Sequence, residues 1–212
     1  MSGRHESRSR TPPRRLFRAA ANIVKDHGFA LKAVRADGNE ILYAHKSLKK
    51  DPDIAFAAAQ QNIHSLSYIS STLKRDPEFM LRVVDLDVSA LQYASKSLKS
   101  NRDFMLLAAR REISALKFAA TSLKKDLDFM LKAARLDISA LNYADMSLRR
   151  DWEFNLKAIS DNAKAFNKAL DILRYNQAFA EDAVGRNGAA LQYISPTFQG
   201  NAGIVEIAVK QN

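Results

Sequence analysis

Hydrophobic and polar positions recur along this chain at a fixed spacing of 25 residues. Each unit opens on Asp or Asn, and Phe or Ile follows three residues later. A small residue stands seven residues after the opener, and large apolar residues stand 15 and 22 residues after it. A pattern that keeps its register over eight openers predicts tandem structural repeats. The openers are Asp26, Asp51, Asp76, Asn101, Asp126, Asp151, Asn176 and Asn201.

Each unit is predicted to form two short helices. The opener is expected to cap the first helix, because an Asp or Asn side chain accepts the unpaired N–H groups of the first turn. Pro52 and Pro77 directly follow their openers, where the missing N–H of proline costs nothing. The first helix should run for about eight residues. The second should follow a second polar cap, and the second caps are Asp37, Asn62, Asp87, Glu112, Asp137, Asn162 and Asn187.

Such short helices are unstable alone, because helix nucleation is costly and few hydrogen bonds repay it. Stacked units stabilise one another by burying their apolar faces. The sequence therefore predicts an all-α, helical-hairpin repeat solenoid with a 25-residue period. The expected domains are a disordered Arg/Ser/Pro-rich tail over 1–15 and the solenoid over 16–212. Within the solenoid, a capping helix should span 16–25, seven units 26–200 and a half unit 201–212.

The last units depart from the pattern. In unit six, Asn155, Lys168 and Ile172 replace the Met, Tyr and Ser or Thr of earlier units, and 163–175 is expected to form one longer helix. Unit seven contains glycines and a proline, so its helices are expected to be looser. The half unit is apolar on more than one side. This leaves three readings open: a partner, an oligomer formed through the last helix, or a longer chain.

Charge is concentrated at the N-terminus. The formal net charge is +10 and the isoelectric point is about 9.8. Residues 1–18 carry six Arg and one Glu, a composition that predicts disorder. This tail could bind acidic protein, RNA or anionic lipid by charge, or it could serve only solubility. Its candidate partner-binding residues are Arg8, Arg10, Arg14 and Arg15.

Composition excludes several classes of site. The chain has no Cys, which excludes disulfides, thiolate metal sites and a cysteine nucleophile. Mean hydropathy is −0.29, and no apolar run reaches the roughly 18 residues of a membrane helix. The basic N-terminal segment is not followed by the apolar stretch of a secretory signal. We therefore expect a soluble protein, cytoplasmic, or secreted into a host cell if it is an effector.

The stretch 126–148 reads D-x-D-F-x-L-x-A-A, then D-I-S-A-L-x-Y-A, then S-L. This pattern resembles the tandem repeats of the family known as domain of unknown function 4116 (DUF4116). The resemblance covers about 26–200 and is strongest over 76–150. It implies a repeat array and offers no motif of catalytic residues to carry over, and by association with bacteria it suggests a secreted bacterial effector or an effector-associated protein.

No catalytic constellation stands out. His5, His27, His45 and His64 occupy different repeat positions, whereas a metal site or a triad needs convergent ligands or bases. Most carboxylates stand at cap positions, which explains them as helix starts. We predict no catalytic, cofactor-binding or metal-binding residues and no enzyme activity. An enzyme would need a concave pocket where units six and seven meet their regular neighbours.

Lys and Arg recur at the unit ends, as in Lys124, Arg149 and Arg150. Such a ladder could track phosphates, but the acidic caps that follow favour a solvated face whose charges pair with one another. A row of Tyr and Phe is interpreted as packing rather than as a platform for stacked bases. Trp152 is the single Trp, at a position that is usually exposed, and is a candidate interface anchor.

The favoured function is a non-catalytic protein–protein interaction scaffold that uses the extended surface of the solenoid. The alternative is nucleic-acid binding through the basic tail and the Lys/Arg edge. The candidate partner-binding residues of the folded part are Lys124, Arg149, Arg150 and Trp152. No cofactor and no membrane span are expected.

Overall fold

The structure is a computed structural model that describes residues 25–211. The predicted disordered tail over 1–15, with Arg8, Arg10, Arg14 and Arg15, lies outside the described residues, and so does all but the end of the predicted capping helix over 16–25. Every regular element over 25–211 is helical. The long α-helices are His27–Ala36, Pro52–Gln61, Pro77–Val84, Arg102–Arg111, Leu127–Leu136, Trp152–Asp161, Gln177–Arg186 and Ala202–Gln211.

Two shorter helical segments follow each of the first seven long helices. The first is a 3-10 helix: Gly38–Tyr43, Ile63–Ser67, Val88–Tyr93, Ile113–Phe118, Ile138–Tyr143, Ala163–Lys168 and Gly188–Gln192. The second, here called the connector helix, is Leu48–Lys50, Leu73–Arg75, Lys96–Lys99, Thr121–Lys124, Met146–Arg150, Asp171–Arg174 and Pro196–Gln199. The seven repeats, numbered from the opener Asp26, thus each hold three helical segments instead of the two predicted.

The second segment of each repeat is a 3-10 helix of five or six residues. The expectation of one longer helix over 163–175 is wrong. Ala169 and Leu170 adopt extended backbone, with ψ of 153° at both, which separates two short helical segments. Gln177–Arg186 is ten residues long, like the other long helices except the eight-residue Pro77–Val84, although it contains a glycine.

The predicted caps are confirmed. All eight openers accept N–H groups of the following long helix, as Asp126 does from Phe129 at 2.8 Å. Pro52 occupies the first turn of its helix, as the sequence predicted. Six of the seven second caps also accept an N–H group, and Glu112 is the exception.

The chain divides into two compact units, one ending at Phe79 and one beginning at Met80. In the first unit, helices His27–Ala36 and Pro52–Gln61 pack together and bury Val34 and Ile54. The backbone is close-packed at Gly38, where an added Cβ would lie 2.3 Å from the carbonyl oxygen of Ala58.

In the second unit, each long helix from Arg102–Arg111 onward packs against the next. The successive 3-10 helices pack against one another as well. The Phe residues three positions after the openers form the centre of this core, and Phe129, Phe154 and Phe179 are almost completely buried. The predicted all-α repeat fold is therefore present. No helix of the described residues is long and apolar enough to cross a membrane.

Candidate functional site: the connector edge of repeats five and six

The lysine ladder is part of the framework of the repeats. Four lysines stand 23 residues after their openers, and the Nζ atom of each donates to the backbone carbonyl seven residues earlier, at the end of the preceding 3-10 helix. The distances are 2.7–2.8 Å. Burial lowers the pKa of all four ammonium groups. The four lysines are Lys49, Lys74, Lys99 and Lys124.

This arrangement differs from the predicted pairing with the acidic caps. Within the described residues, none of these four lysines forms an ion pair, and each caps a 3-10 helix instead. A carbonyl at a helix C-terminus is left without an intrahelical donor, and a lysine ammonium supplies one. Lys124, a candidate partner-binding residue, therefore has one of its three donors bound to the carbonyl of Lys117.

Repeats five and six break this rule. Arg149 and Arg174 replace the lysine, and their Nε atoms are buried without a hydrogen-bond partner in the described part of the chain. The backbone carbonyls of Lys99 and Lys124 accept hydrogen bonds from backbone N–H groups of the next repeat. The donors are Ala120 and Asp145.

The carbonyl of Arg149 accepts instead from Nδ2 of Asn155, at 3.2 Å. Within residues 25–211, no backbone N–H of repeat six donates to it.

Large apolar side chains are exposed beside these arginines. Met146 is 47% exposed, Ile172 is 75% exposed and Tyr175 is 68% exposed. Ile172 and Tyr175 lie three residues apart, so they share one side of the connector helix Asp171–Arg174 and its C-cap. The other repeats carry Ser or Thr in place of Ile172, at Ser47, Thr72, Ser97, Ser122, Ser147 and Thr197.

We call residues 146–150 and 171–175 the connector edge. The candidate residues Arg149 and Arg150 both belong to its first connector helix, Met146–Arg150, and Arg150 is exposed. Met146, Ile172 and Tyr175 were not among the sequence candidates. The sequence could have identified them, since each is an apolar residue at a repeat position where most other units have a polar one.

Trp152 lies at an interface between two repeats of the second unit. Its Nε1 donates to Oδ2 of Asp182 at 2.9 Å, and its ring meets the ring of Phe179 edge-on with 5.2 Å between centroids. Glu153 pairs with Arg186 at 3.1 Å beside it. The indole is half-buried, and its use as an anchor for a partner stays a prediction.

Two further ion pairs join adjacent repeats, and the acid and the base exchange places between them. Asp85 accepts from Arg111 at 2.7 Å, and Arg135 donates to Asp161 at 2.8 Å. Each pair joins residues that are 26 positions apart, with the acid first in one and the base first in the other. Both pairs are substantially exposed, so each adds only about 0–1 kcal/mol of stability.

Two concave regions lie in the second unit. One is an open depression of about 480 Å³ lined by Gly188, Leu191 and Gln199 among others. The other is a cavity of about 150 Å³ between repeats five and six, with the Arg135–Asp161 pair in its wall. No Ser, Thr or His lines either of them. No group of three potential metal ligands occurs within residues 25–211.

The last helix exposes part of its apolar surface. Val205 is 36% exposed and Val209 is 70% exposed, whereas Ala180 and Val184, one repeat earlier at the same positions, are completely buried. Oligomerisation through this helix stays a prediction.

Comparison with protein families gives one match. The model of the Domain of unknown function (DUF4116) family matches three tandem segments, 26–74, 76–124 and 126–174. The chain belongs to this family. Each matched segment spans two of the repeats described above, and the resemblance stated from the sequence is confirmed. No curated protein and no solved structure matches the chain.

Proposed function

We propose that this DUF4116 chain is a non-catalytic protein-interaction module and that its partner docks on the connector edge. The observation that supports this most directly is the exposure of Ile172 and Tyr175 at positions that are polar or small in the other repeats. Exposed clusters of apolar side chains on a folded protein are typical of interaction sites.

The composition of the edge fits a protein partner. Tyr, Met and Arg are enriched at protein interfaces, and Tyr and Arg are the residues that most often dominate their binding energy. The edge holds Tyr175 and Met146 together with Arg149, Arg150 and Arg174. The surrounding repeats supply a framework of helices, and sites on such elements are held more precisely than sites on loops.

Nucleic-acid binding has weaker support in the described residues. Its ladder of cations includes four lysines whose ammonium groups each have a donor bound to a backbone carbonyl. The basic tail on which this alternative also relies lies outside the described residues. Secretion as a bacterial effector stays a prediction that rests on the family resemblance alone.

The test is capture of partners by three immobilised forms of the full chain: the wild type, I172S/Y175S and the control L107S/L136S. Leu107 and Leu136 are exposed apolar residues of long helices in the same unit, 43% and 38% exposed, so the control removes apolar side chains from the surface elsewhere, although a smaller exposed fraction of each. Circular dichroism and thermal denaturation check that all three forms are folded.

We expect at least one protein from extracts of the source organism to bind the wild type and the control but not I172S/Y175S. If all three forms capture the same proteins in equal amounts, the connector edge is not the binding surface.

A further inference from the structure

We infer that the 3-10 helices of repeats five to seven bind the backbone of an extended polypeptide segment. The contact is made by the residues 16 positions after the openers of these repeats, Asn142, Asn167 and Gln192, here called the amide row. The inference goes beyond the proposed function, because it concerns a different surface and does not require Ile172 or Tyr175. The two proposals share only the expectation that the partner is a protein.

The backbone carbonyls of the amide row lack the donor that the earlier repeats supply. In the first four repeats a lysine binds the carbonyl 16 positions after the opener, as Lys124 binds that of Lys117 at 2.7 Å. Repeats five to seven replace this lysine by Arg149, Arg174 and Gln199. Within residues 25–211, no donor binds the carbonyl oxygen of any residue of the amide row. Three neighbouring repeats therefore present carbonyl acceptors that a bound molecule can use.

The side chains of the amide row add further donors and acceptors at the same places. All three residues are exposed, and each amide has two N–H donors and one carbonyl acceptor. The amides of Asn142 and Asn167 form no hydrogen bond in the described part of the chain. The amide of Gln192 donates to the carbonyl of Ala189 at 3.1 Å. Only one of the four earlier residues at this repeat position is an amide, and these residues are Leu42, Ser67, Gln92 and Lys117.

The amide row belongs to one continuous surface, because consecutive 3-10 helices pack against each other. Ile138–Tyr143 contacts Ala163–Lys168, which in turn contacts Gly188–Gln192. The open depression of about 480 Å³ described above lies at the last of these helices, and Gln192 lines it beside Leu191. The depression offers room for a side chain of the bound segment.

A polypeptide backbone is the electrostatic complement of this surface. Each residue of an extended segment offers an N–H donor for a carbonyl of the amide row and a C=O acceptor for one of its side-chain amides. Packed helices lie roughly 8–10 Å apart, and an extended chain advances about 3.3 Å per residue, so one repeat matches about three residues of the segment. Three repeats therefore match about nine residues of an extended segment.

The unbonded carbonyls favour a polypeptide over a nucleic acid. A phosphate backbone is negatively charged, and carbonyl oxygens, which carry a partial negative charge, repel it. Contacts to phosphates supply a large share of the affinity of proteins for nucleic acids, and the residues of the amide row are uncharged. Peptide N–H groups, in contrast, are the donors that such carbonyls require.

The experiment selects peptides from a phage-displayed random library on the immobilised full chain. Synthetic forms of the enriched peptides are then tested for affinity against the wild type and three variants. N142A/N167A removes two exposed amides. The matched control, Q92A/K117A, truncates exposed residues at the same repeat position where lysines already bind the carbonyls.

The third variant, R149K/R174K, restores the lysine of the first four repeats. Its ammonium groups should bind the carbonyls of Asn142 and Asn167, as Lys124 binds that of Lys117. The melting temperature should therefore rise, because each carbonyl gains a charged donor, while peptide affinity falls severalfold. A loss of affinity in this variant thus cannot be attributed to unfolding.

We expect N142A/N167A to weaken peptide binding about tenfold, whereas Q92A/K117A stays within about twofold of the wild type. Methylation of single backbone nitrogens of the peptide tests the backbone contacts directly, since it removes one N–H donor and keeps every side chain. Affinity should fall at nitrogens spaced about three residues apart.

Equal affinity of the wild type, N142A/N167A and R149K/R174K would overturn the inference, and so would a peptide whose affinity no backbone methylation reduces. If such a peptide loses its binding in I172S/Y175S, the proposed function stands without the amide row. The absence of any enriched peptide would also overturn the inference, while the capture experiment above would still decide the proposed function. Binding of labelled single-stranded RNA that is lost in N142A/N167A, without any peptide binding, would assign the amide row to nucleic acid instead.

Discussion

Lys99 donates a hydrogen bond from its ammonium to the carbonyl oxygen of Gln92, 2.7 Å away and seven residues earlier in the chain. The backbone carbonyl of Lys99 accepts in turn from Ala120 of the following repeat, at 2.8 Å. One residue therefore caps the 3-10 helix of its own repeat and joins that repeat to the next. The cationic ladder of this family member owes at least part of its regularity to this structural task.

Replacing Lys99 by Met should destabilise the second unit by about 1 kcal/mol, because the Gln92 carbonyl loses a charged donor while the side-chain stem is kept. The matched control is K96M in the same connector helix, where the lysine is exposed and forms no such bond in the described residues. Denaturant unfolding followed by fluorescence of the single Trp checks the difference. Equal losses in both variants would mean that the ladder bond adds nothing.

Gly38 and Gly28 should respond in opposite ways to substitution by Ala. A Cβ at Gly38 would lie 2.3 Å from the Ala58 carbonyl, so G38A should destabilise the first unit by about 1–3 kcal/mol. At Gly28, in the first turn of a helix, the nearest atom is Oδ1 of Asp26 at an ordinary 3.5 Å. G28A should therefore be neutral or stabilising by up to about 1 kcal/mol. Thermal denaturation of both variants tests the predicted difference in sign.

Glu40 should make the first unit more stable as the pH falls below neutral. Burial, with a smaller effect of Asp37, raises the pKa of its carboxyl above the usual value. The folded chain then holds the proton at a pH where the unfolded chain has lost it. The free energy of unfolding should therefore increase as the pH falls through the raised pKa and level off below the ordinary one.

The variant E40Q should abolish this part of the pH dependence and raise the melting temperature at neutral pH. E78Q is the control, since Glu78 is exposed in the same unit. Melting curves recorded between neutral and mildly acidic pH would disprove the assignment if E40Q and the wild type changed in parallel.

Trp152 should contribute through its ring and its N–H group separately. W152F keeps an aromatic ring beside Phe179 and loses the bond to Asp182, so it should cost about 1 kcal/mol. W152A loses both contacts and should cost about 3 kcal/mol. Urea denaturation followed by circular dichroism measures the two losses. An equally small effect of both variants would show that the indole does not hold the two repeats together.

Much of the fold was readable from spacing alone. The openers act as caps because an Asp or Asn side chain satisfies N–H groups that belong to its own helix. The Phe three residues later is buried in repeats three to seven, because the helical period directs it to the same side of each long helix. Both relations are local, so a short stretch such as that from Asp126 to Phe129 contains the whole signal.

The candidate site was readable only in part. Arg149 and Arg150 were candidates because they belong to a regular series of cations. The series treats Arg149 and Lys124 as equivalent, although the two side chains make different contacts. The difference depends on whether the side chain can reach a carbonyl seven residues earlier, a distance that the sequence does not state. The exposure of Ile172 and Tyr175 likewise follows from how the connector helix is oriented on its repeat.

The sequence by itself determined that the chain is built from repeated short helices, where each long helix begins, and which apolar columns form the core. These features follow from helix caps and helical periodicity, which act over a few residues. Only the tertiary structure decided that the second segment of each repeat is 3-10, that the ladder lysines bind carbonyls, and that Trp152 meets Asp182. These features depend on how neighbouring segments approach one another in space. One repeat pattern is compatible with several distances between segments, and each distance would place the same side chains in different contacts.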